Sequence, residues 1–430
     1  MKSIYRLFTG LFTVTLLHAG VHVVDVDDLI ELALTHSPDI DSSRFDFEAA
    51  KARAKYAEGF YLPRIDLSAE AGEQESKMIE HSTQNVDLFT GTIAASQLLY
   101  DFGKTSGIVG RSREETLALK AKMQQTVSDK IFKIKKLYYE ILKSRRIIEV
   151  QKKSVALQRQ QLYRAQRYLK AGIRTIIDVT DAKVRLAQAQ LDLKNARYAL
   201  QTRRAELEEE IGVIPHDGHY RLYTPQLPLP HISDNLPKLQ HPLEWYERFA
   251  YTHRYLLVSL KRYTESAKFA VESVEGEYYP TLSLEGIYTK QHVDEDVREI
   301  TPTDQGTLAL QMRWNIFGGY QTAAKMEEAK VGVLKAASQT KRIKLAITRE
   351  VTESYIAIRR AEESIKLSER ISISSKKKLE QAQRRYENDL GDYIQLQEAQ
   401  QGYIQALSNL VNDYYDYFIA LAQLDHAAGR

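Results

Sequence analysis

The sequence predicts a mainly α-helical fold with a β-barrel part, built by duplicating one unit, and three observations carry that expectation. A short knuckle occurs twice, as "EGFYLPRIDL" at residues 58–67 and "EGEYYPTLSL" at 275–284. Val127, Ile134, Ile141, Ile148, Val155, Leu162 and Leu169 recur at a strict seven-residue spacing. Such spacing keeps an apolar seam on one side of a long helix only if the helix supercoils left-handedly around a neighbour. After each knuckle the period changes to two, the signature of strands with one apolar and one polar face.

Composition narrows the options. The 430 residues have a mean hydropathy of −0.42, 27% charged residues and only 10 prolines, which favours long solvated helices. The absence of cysteine excludes a disulfide framework, thiolate metal sites, a cysteine nucleophile and a lipid-modified cysteine. Any membrane attachment must therefore come from the fold. The first twenty residues, "MKSIYRLFTGLFTVTLLHAG", place Lys2 and Arg6 before an apolar run from Leu7 to Leu17 and end in small residues, a secretory signal layout. Removing Lys2 and Arg6 from the formal charge of +3 leaves +1, so no basic excess points to nucleic acid. No later stretch reaches the roughly 18 apolar residues of a transmembrane helix.

Sliding the sequence by 217 positions superimposes Ala33, Thr35 and His36 on Ala250, Thr252 and His253, and Glu58, Gly59, Tyr61, Pro63 and Leu67 on identical residues. A period this long, seen twice, indicates a duplicated structural unit. The expected division is a signal peptide at 1–20, a first unit at 21–212, a linker at 213–241 and a second unit at 242–430. Each unit begins with an amphipathic helical region, about 25–58 and about 242–275. Gly59 or Gly276 ends it, and Pro63 or Pro280 prevents its resumption. A β-hairpin follows, at about 60–103 and about 277–318. In the first, Ile65, Leu67, Ala69 and Ala71 oppose Asp66, Ser68 and Glu70. In the second, Leu308, Leu310, Met312, Trp314 and Ile316 oppose Thr307, Ala309, Gln311, Arg313 and Asn315. A long helix then runs without proline from Lys104 to about Lys170, and again from Tyr320 to about Asn388. Each turns, at "KAGIRTIID" or "NDLGDYIQ", into a returning helix.

Four such strands cannot satisfy their edges within one chain. In lipid every backbone group must pair, which leaves a closed barrel shared between copies, of 8, 12 or 16 strands for two, three or four chains. Tyr61, Tyr100, Phe102, Tyr278, Tyr279, Trp314 and Phe317 stand at the helix-proximal strand ends, where an interfacial aromatic belt belongs.

The signal sequence, "DLIELALTHSPDI", "FYLPRIDL", "LLYDFGKTSG" with "WNIFGGYQT", and "YLKAGIRTIIDVTDAKVRLAQAQ" together resemble the TolC-type outer-membrane efflux family over nearly the whole mature chain. The resemblance implies a homotrimer whose twelve strands form one outer-membrane barrel, continuous with a periplasmic helical tunnel of twelve helices per layer. It implies a passive exit duct that docks a periplasmic adaptor and an inner-membrane transporter, for drug efflux or type I secretion. It also places a gate at the periplasmic turns. Asp178 matches the family's first-turn aspartate and Tyr386 a tyrosine that partners across the gate, while the family's gate arginine falls on Gly391 and its two lumen aspartates on Gln395 and Glu398. Asp178, Tyr386 and Glu398 are thus the gate candidates, with Arg174 as a substitute cation and Asp389 and Asp392 nearby; Gly172 and Gly391 are turn glycines that expose the tip to an adaptor.

Enzymatic readings are poor. "GKT" at 103–105 lacks a phosphate-loop glycine because Leu98 stands in its place, and the Ser-x-x-Lys spacing at Ser374 and Lys377 lies in a charged helical run. No metal-ligand spacing occurs among the 11 histidines, so no cofactor is expected. The rival reading is a periplasmic coiled-coil scaffold or adaptor without a pore, which would need the alternating stretches to be soluble hairpins packed on helices.

Overall fold

A computed structural model describes residues 22–77, 83–173, 175–213, 220–223, 232–294, 303–388 and 390–430. The expected signal peptide, Arg174, Asp389 and the central parts of the two polar loops lie outside the described residues. The elements run β1 (His22–Val24), α1 (Val26–His36), α2 (Pro38–Glu58), β2 (Arg64–Lys77), β3 (Thr83–Tyr100), α3 (Lys104–Lys170), α4 (Ile176–Ile211), β4 (Tyr220–Leu222), α5 (Leu243–His253), α6 (Tyr255–Gly276), β5 (Thr281–Asp294), β6 (Thr303–Arg313), α7 (Gln321–Glu387) and α8 (Tyr393–Ala428).

α3 and α7 are each 67 residues long, which at about 1.5 Å per residue is on the order of 100 Å. Along its first half α3 packs against α2 and α6, and along its second against α4 and α8; α7 does the same with α6 and α8. On α3 the seven-residue seam is buried at Ile134, Ile141, Ile148 and Val155, then half-buried at Leu162 and Leu169. The same register returns 217 positions on in α7, where Val351, Ile358, Ile365, Ser372, Leu379 and Tyr386 are all buried. Each fully buried aliphatic side chain contributes roughly 1.5–3 kcal/mol relative to exposure, so the seams carry much of the helical stability.

The leading helical region of each unit is two helices, not one. Ser37 is extended (φ −71°, ψ 120°) because the Pro38 ring disfavours the helical conformation in the residue before it. Arg254 takes nearly the same conformation (φ −66°, ψ 110°) without a proline. Its side chain instead reaches the backbone carbonyl of His426 and the Glu350 carboxylate at 3.4 Å. At each break a left-handed glycine closes the returning helix against it: Gly212 (φ +89°) abuts His36 and Pro38, and Gly429 (φ +79°) abuts His253 and Arg254. Each returning helix and the second leading helix of its own unit thus stack end to end beside the long one. Around this level β4 of the linker pairs in parallel with β1, the segment ahead of α1, with His22 opposite Tyr220 and Val24 opposite Leu222, strands that the sequence pattern did not indicate.

At the knuckles, Leu62 is extended (φ −93°, ψ 154°) ahead of Pro63, so the proline stops the helix. The paired glycines do different work. Gly59 has open space around it, whereas a Cβ on Gly276 would lie 2.5 Å from the Lys104 backbone nitrogen, so only glycine lets α6 approach the start of α3.

The two hairpins form one antiparallel sheet of order β2-β3-β5-β6. β3 and β5 pair through Ile93 opposite Tyr288 and Ala95 opposite Gly286, with an irregularity between Leu98 and Tyr100. β6 ends at Arg313, so Trp314 and Ile316 do not extend its alternation as the sequence suggested. The Trp314 Nε1–H donates to the Tyr278 carbonyl oxygen at 3.1 Å and draws the chain back to the knuckle.

Candidate channel wall and gate

The register puts Ile65, Leu67, Ala69 and Ala71 of β2 on one face with Phe89, Gly91, Ile93 and Ala95 of β3. Leu284, Gly286 and Tyr288 of β5 continue that face, and Leu308, Leu310 and Met312 of β6 complete it. The opposite face carries Asp66, Ser68, Glu70, Thr92, Ser96, Glu285, Thr289, Thr307 and Gln311. In one chain the apolar face is open to solvent, with Leu67 78% and Leu308 76% exposed. β2 and β6 are the two outer strands, each paired on one side only. An exposed apolar face of this size together with two unpaired edges defines a surface that must be covered.

All seven belt aromatics are exposed and gather where strands meet helices. Tyr100 meets Phe102 edge-on at 4.7 Å, and Phe102 stacks on Tyr279 at 5.0 Å. Phe102 (φ +52°) and Tyr320 (φ +64°) are left-handed, each beside a left-handed glycine, Gly103 or Gly319, where the chain swings from strand to long helix. Beneath the sheet, α2, α3, α6 and α7 surround an open cleft of about 830 Å³ in which Arg53, Arg111 and Lys325 face Glu115 and Glu328.

At the far end the two turns come together. Asp178 is half-buried in the first turn of α4, and its Oδ2 accepts from the Thr175 backbone N–H at 3.0 Å and from the Thr175 hydroxyl at 3.1 Å. Asp392 caps α8 by accepting from the Ile394 N–H at 3.4 Å. Tyr386, 4% exposed, lies between Tyr168 of α3 (6.3 Å between ring centres) and Tyr393 of α8 (6.1 Å). The Gln397 amide donates to the Tyr393 phenol oxygen at 2.6 Å. Burial raises the pKa of Tyr393 above 10.0, with the Asp181 and Asp178 charges pushing the same way, against the Gln397 hydrogen bond and the Arg185 charge. The Asp178 charge thus bears on the Tyr393 phenol of the opposite turn. Glu398 stands exposed on α8. Gly172 is left-handed (φ +71°) with free space around it, while Gly391 is close-packed, its missing Cβ 3.1 Å from that of Arg385.

Sequence reasoning missed three members of this cluster: Tyr168, Tyr393 and the ion pair in which the Arg164 guanidinium meets Glu387 at 2.8 Å, tying α3 to α7. One signal for Tyr393 was available. Leu379, Tyr386 and Tyr393 are seven apart, so the α7 seam read one step further crosses the turn.

Two further apolar stripes face away from the core. Ile177, Val184, Leu191 and Tyr198 recur every seven residues on α4, and Leu334, Leu345, Ile356 and Leu367 every eleven on α7, all half or more exposed. Among the described residues no helix is long and apolar enough to cross a membrane, and no cluster of three or more His, Asp or Glu could hold a metal ion.

A long helical tunnel wall continuous with an amphipathic β-sheet defines an outer-membrane channel of the efflux and type I secretion class. The family model "Outer membrane efflux protein" matches residues 29–213 and 253–430, and the chain belongs to that family. It is 21% identical to the outer membrane protein TolC of Vibrio cholerae, covering all of this chain and 96% of that protein. It is 24% identical to the protein CyaE of Bordetella pertussis, over 89% of this chain and 80% of that one. Among solved structures, the outer membrane protein VceC of Vibrio cholerae matches with a TM-score of 0.80 at 18% identity, covering 94% of this chain and 96% of that one. The Campylobacter jejuni CmeC outer membrane channel matches with 0.84 at 15%, covering 94% of this chain and 85% of that one. The family is one of transport proteins, and the pore-free scaffold reading falls with that membership. The protein resides in the outer membrane with its helical tunnel in the periplasm.

Proposed function

We propose that three copies of this chain close their sheets into one twelve-stranded barrel and their helices into one tunnel, forming a passive duct gated at the periplasmic turns. The observation that carries this is the four-stranded sheet with one apolar face and two open edges, β2 and β6. Antiparallel pairing of β6 on one copy with β2 on the next removes every edge, as lipid requires. The alternation then turns Leu67, Leu284 and Leu308 to lipid and Asp66, Glu285 and Thr307 to the lumen. The α4 and α7 stripes supply apolar contacts between copies below the membrane. A periplasmic adaptor docks on the exposed tip around Gly172 and Gly391, and an inner-membrane transporter supplies substrate and energy. The names of the matched relatives span efflux and secretion, and a duct without a binding site serves either.

At the gate, Asp178 stiffens the first turn and Tyr386 anchors the end of the α7 seam, while Glu398, Asp392 and Asp389 supply negative charge around the closed tip and Arg174 a balancing cation. Single-channel recording of the purified protein in planar bilayers tests both levels. Wild type is expected to give a small, cation-preferring conductance, and Asp178→Ala and Glu398→Ala to change it. Silent bilayers would remove the duct, whereas wild-type conductance and selectivity in both variants would remove only the assigned gate residues.

A further inference from the structure

We infer that the outer face of the tunnel, above its periplasmic tip, carries basic stripes that dock acidic helices of the periplasmic adaptor; this rests on the duct reading above. Between Glu149 and Asp178 the sequence has seven basic residues and no acid. From Arg370 to Glu387 it has six basic residues against two acids. α8, by contrast, has no lysine or arginine. A merely solvated helix intersperses both signs, whereas here charge is segregated by helix. The cations also keep their register across the duplication. Lys153, Gln160 and Arg167 of α3 fall, 217 positions on, on Arg370, Lys377 and Arg384 of α7, at seven-residue steps. All five cations are exposed, and among the described residues no carboxylate pairs with them. Glu387 is engaged by Arg164 at 2.8 Å, and Glu380, exposed between Lys377 and Arg384, reduces the excess without closing a pair.

Contacts show which side this is. Tyr138, Arg145, Lys152 and Arg159 lie seven apart on α3, with Lys153 and Arg167 beside that line. Its upper part is covered by the linker: the Tyr138 hydroxyl donates to the Tyr223 carbonyl oxygen and the Arg145 guanidinium to that of Leu222, both at 3.0 Å. Bare cations begin where the linker strand ends. The opposite flank of α3, at Gln151, Ser154 and Gln158, lines a cleft with Gln401 and Gln405 of α8. These two share a helix face with Glu398, the residue matched above to the lumen, so the linker side is the outer one. Direction then selects the partner. Each stripe runs about 21 Å along the tunnel axis, on α7 with a cation about every 10 Å. A membrane or a cell-wall sheet lies across that axis and meets only the lowest residues. A helix running alongside, with acids at its own seven-residue spacing, meets them all.

The test uses the detergent-purified trimer and two helical-hairpin peptides of one composition, the first with Glu at seven-residue steps and the second with Glu scattered around the helix. The expected result is salt-sensitive binding that favours the first hairpin. Arg370→Gln with Lys377→Gln and Arg384→Gln should weaken it about tenfold, and Lys153→Gln with Arg167→Gln about threefold, with heat-modifiable trimer retained. Replacing the three α7 cations by Glu should transfer the preference to a hairpin carrying Lys in place of Glu. Equal binding of both hairpins, unchanged affinity in the three-residue variant, or capture of anionic vesicles or cell-wall fragments in place of the hairpin would overturn it. A trimer that conducts normally but shows no such preference sinks this surface alone; a chain that neither trimerises nor conducts sinks the duct reading beneath it.

Discussion

At the residue scale, Lys130 shows how the duplicated unit solved one packing problem in two ways. Its ammonium is buried on α3 and meets Asp39 of α2 at 2.7 Å and Glu210 of α4 at 2.5 Å. The positions 217 residues on are the apolar Ile347, Leu256 and Ala427, of which Ile347 and Ala427 belong to one buried cluster. Truncating the acids with Asp39→Asn and Glu210→Gln strands a buried cation and is expected to cost about 3 kcal/mol in urea unfolding. Lys130→Ile copies the other unit, leaves Asp39 exposed to water and Glu210 with Lys133, and is expected to cost less than about 1 kcal/mol. The pH dependence has a definite sign. The hydrogen bond from Lys130 holds Asp39 below 3.8; burial pushes Glu210 up, but the bonds from Lys130 and Lys133 outweigh it and hold it below 4.5. A lowered folded-state pKa stabilises fully above the unfolded value, so this contribution is lost as pH falls below 4.5 toward the folded values. Lys130→Ile should therefore show a smaller loss of stability than wild type on going from about pH 6 to about pH 3. Glycines give a second contrast. Gly212→Ala meets the His36 carbonyl oxygen at 2.3 Å as well as a left-handed backbone, whereas Gly172→Ala meets only the backbone strain. We expect Gly172→Ala to cost about 1–2 kcal/mol and Gly212→Ala clearly more, read as thermal midpoints.

At the scale of elements, the sheet faces make the sharpest distinction. Leu308 and Thr307 are neighbours on β6 with opposite outlooks. Leu308→Arg places a cation against hydrocarbon and is expected to cost about 2–4 kcal/mol per chain, lowering the yield of heat-modifiable trimer on gels. Thr307→Arg faces the lumen and should leave trimer yield unchanged while altering conductance. Equal losses for both would show that the faces are assigned wrongly. These faces were legible in the sequence because a period of two survives whatever the strand packs on. The long helices were legible for a similar reason, since seven-residue spacing over this length fits nothing else. The breaks at Ser37 and Arg254 were half legible: Pro38 announces the first, but the second is held by Arg254 reaching Glu350 and the His426 carbonyl, partners about 100 and 170 residues away in sequence. The pairing of β1 with β4 was not legible, because three-residue strands have too few positions to show a period. At the tip, Tyr386 was found through its motif and Tyr168 was not, since α3 and α7 are brought together there only by the fold.

At the scale of the whole molecule, the exposed stripes on α4 and α7 bear on the proposed assembly of copies. α4 packs on α3 and α1, and α7 on α5, α6 and α8, and among the described residues each keeps one exposed flank. Ile177, Val184, Leu191 and Tyr198 span about 32 Å along one flank; Leu334 to Leu367 span about 50 Å along the other. A seven-residue and an eleven-residue repeat drift in opposite senses about a straight helix, so matching them requires two gently curved helices leaning across one another, as in a twisted tunnel wall. If these flanks meet between copies, Val184→Glu with Leu191→Glu desolvates two carboxylates at each of three interfaces and removes apolar contacts worth roughly 1.5–3 kcal/mol per side chain. The expected outcome is loss of trimer by native electrophoresis and light scattering, with helical circular dichroism retained because neither residue touches the core of its own chain. Ile356→Glu with Leu367→Glu should behave alike from the other side. A lumen-facing stripe would behave differently: the trimer would persist, and the added acids would appear as increased cation selectivity in planar bilayers. Dissociation of both double variants assigns the stripes to the seams between copies, and persistence of both moves them to the inner wall.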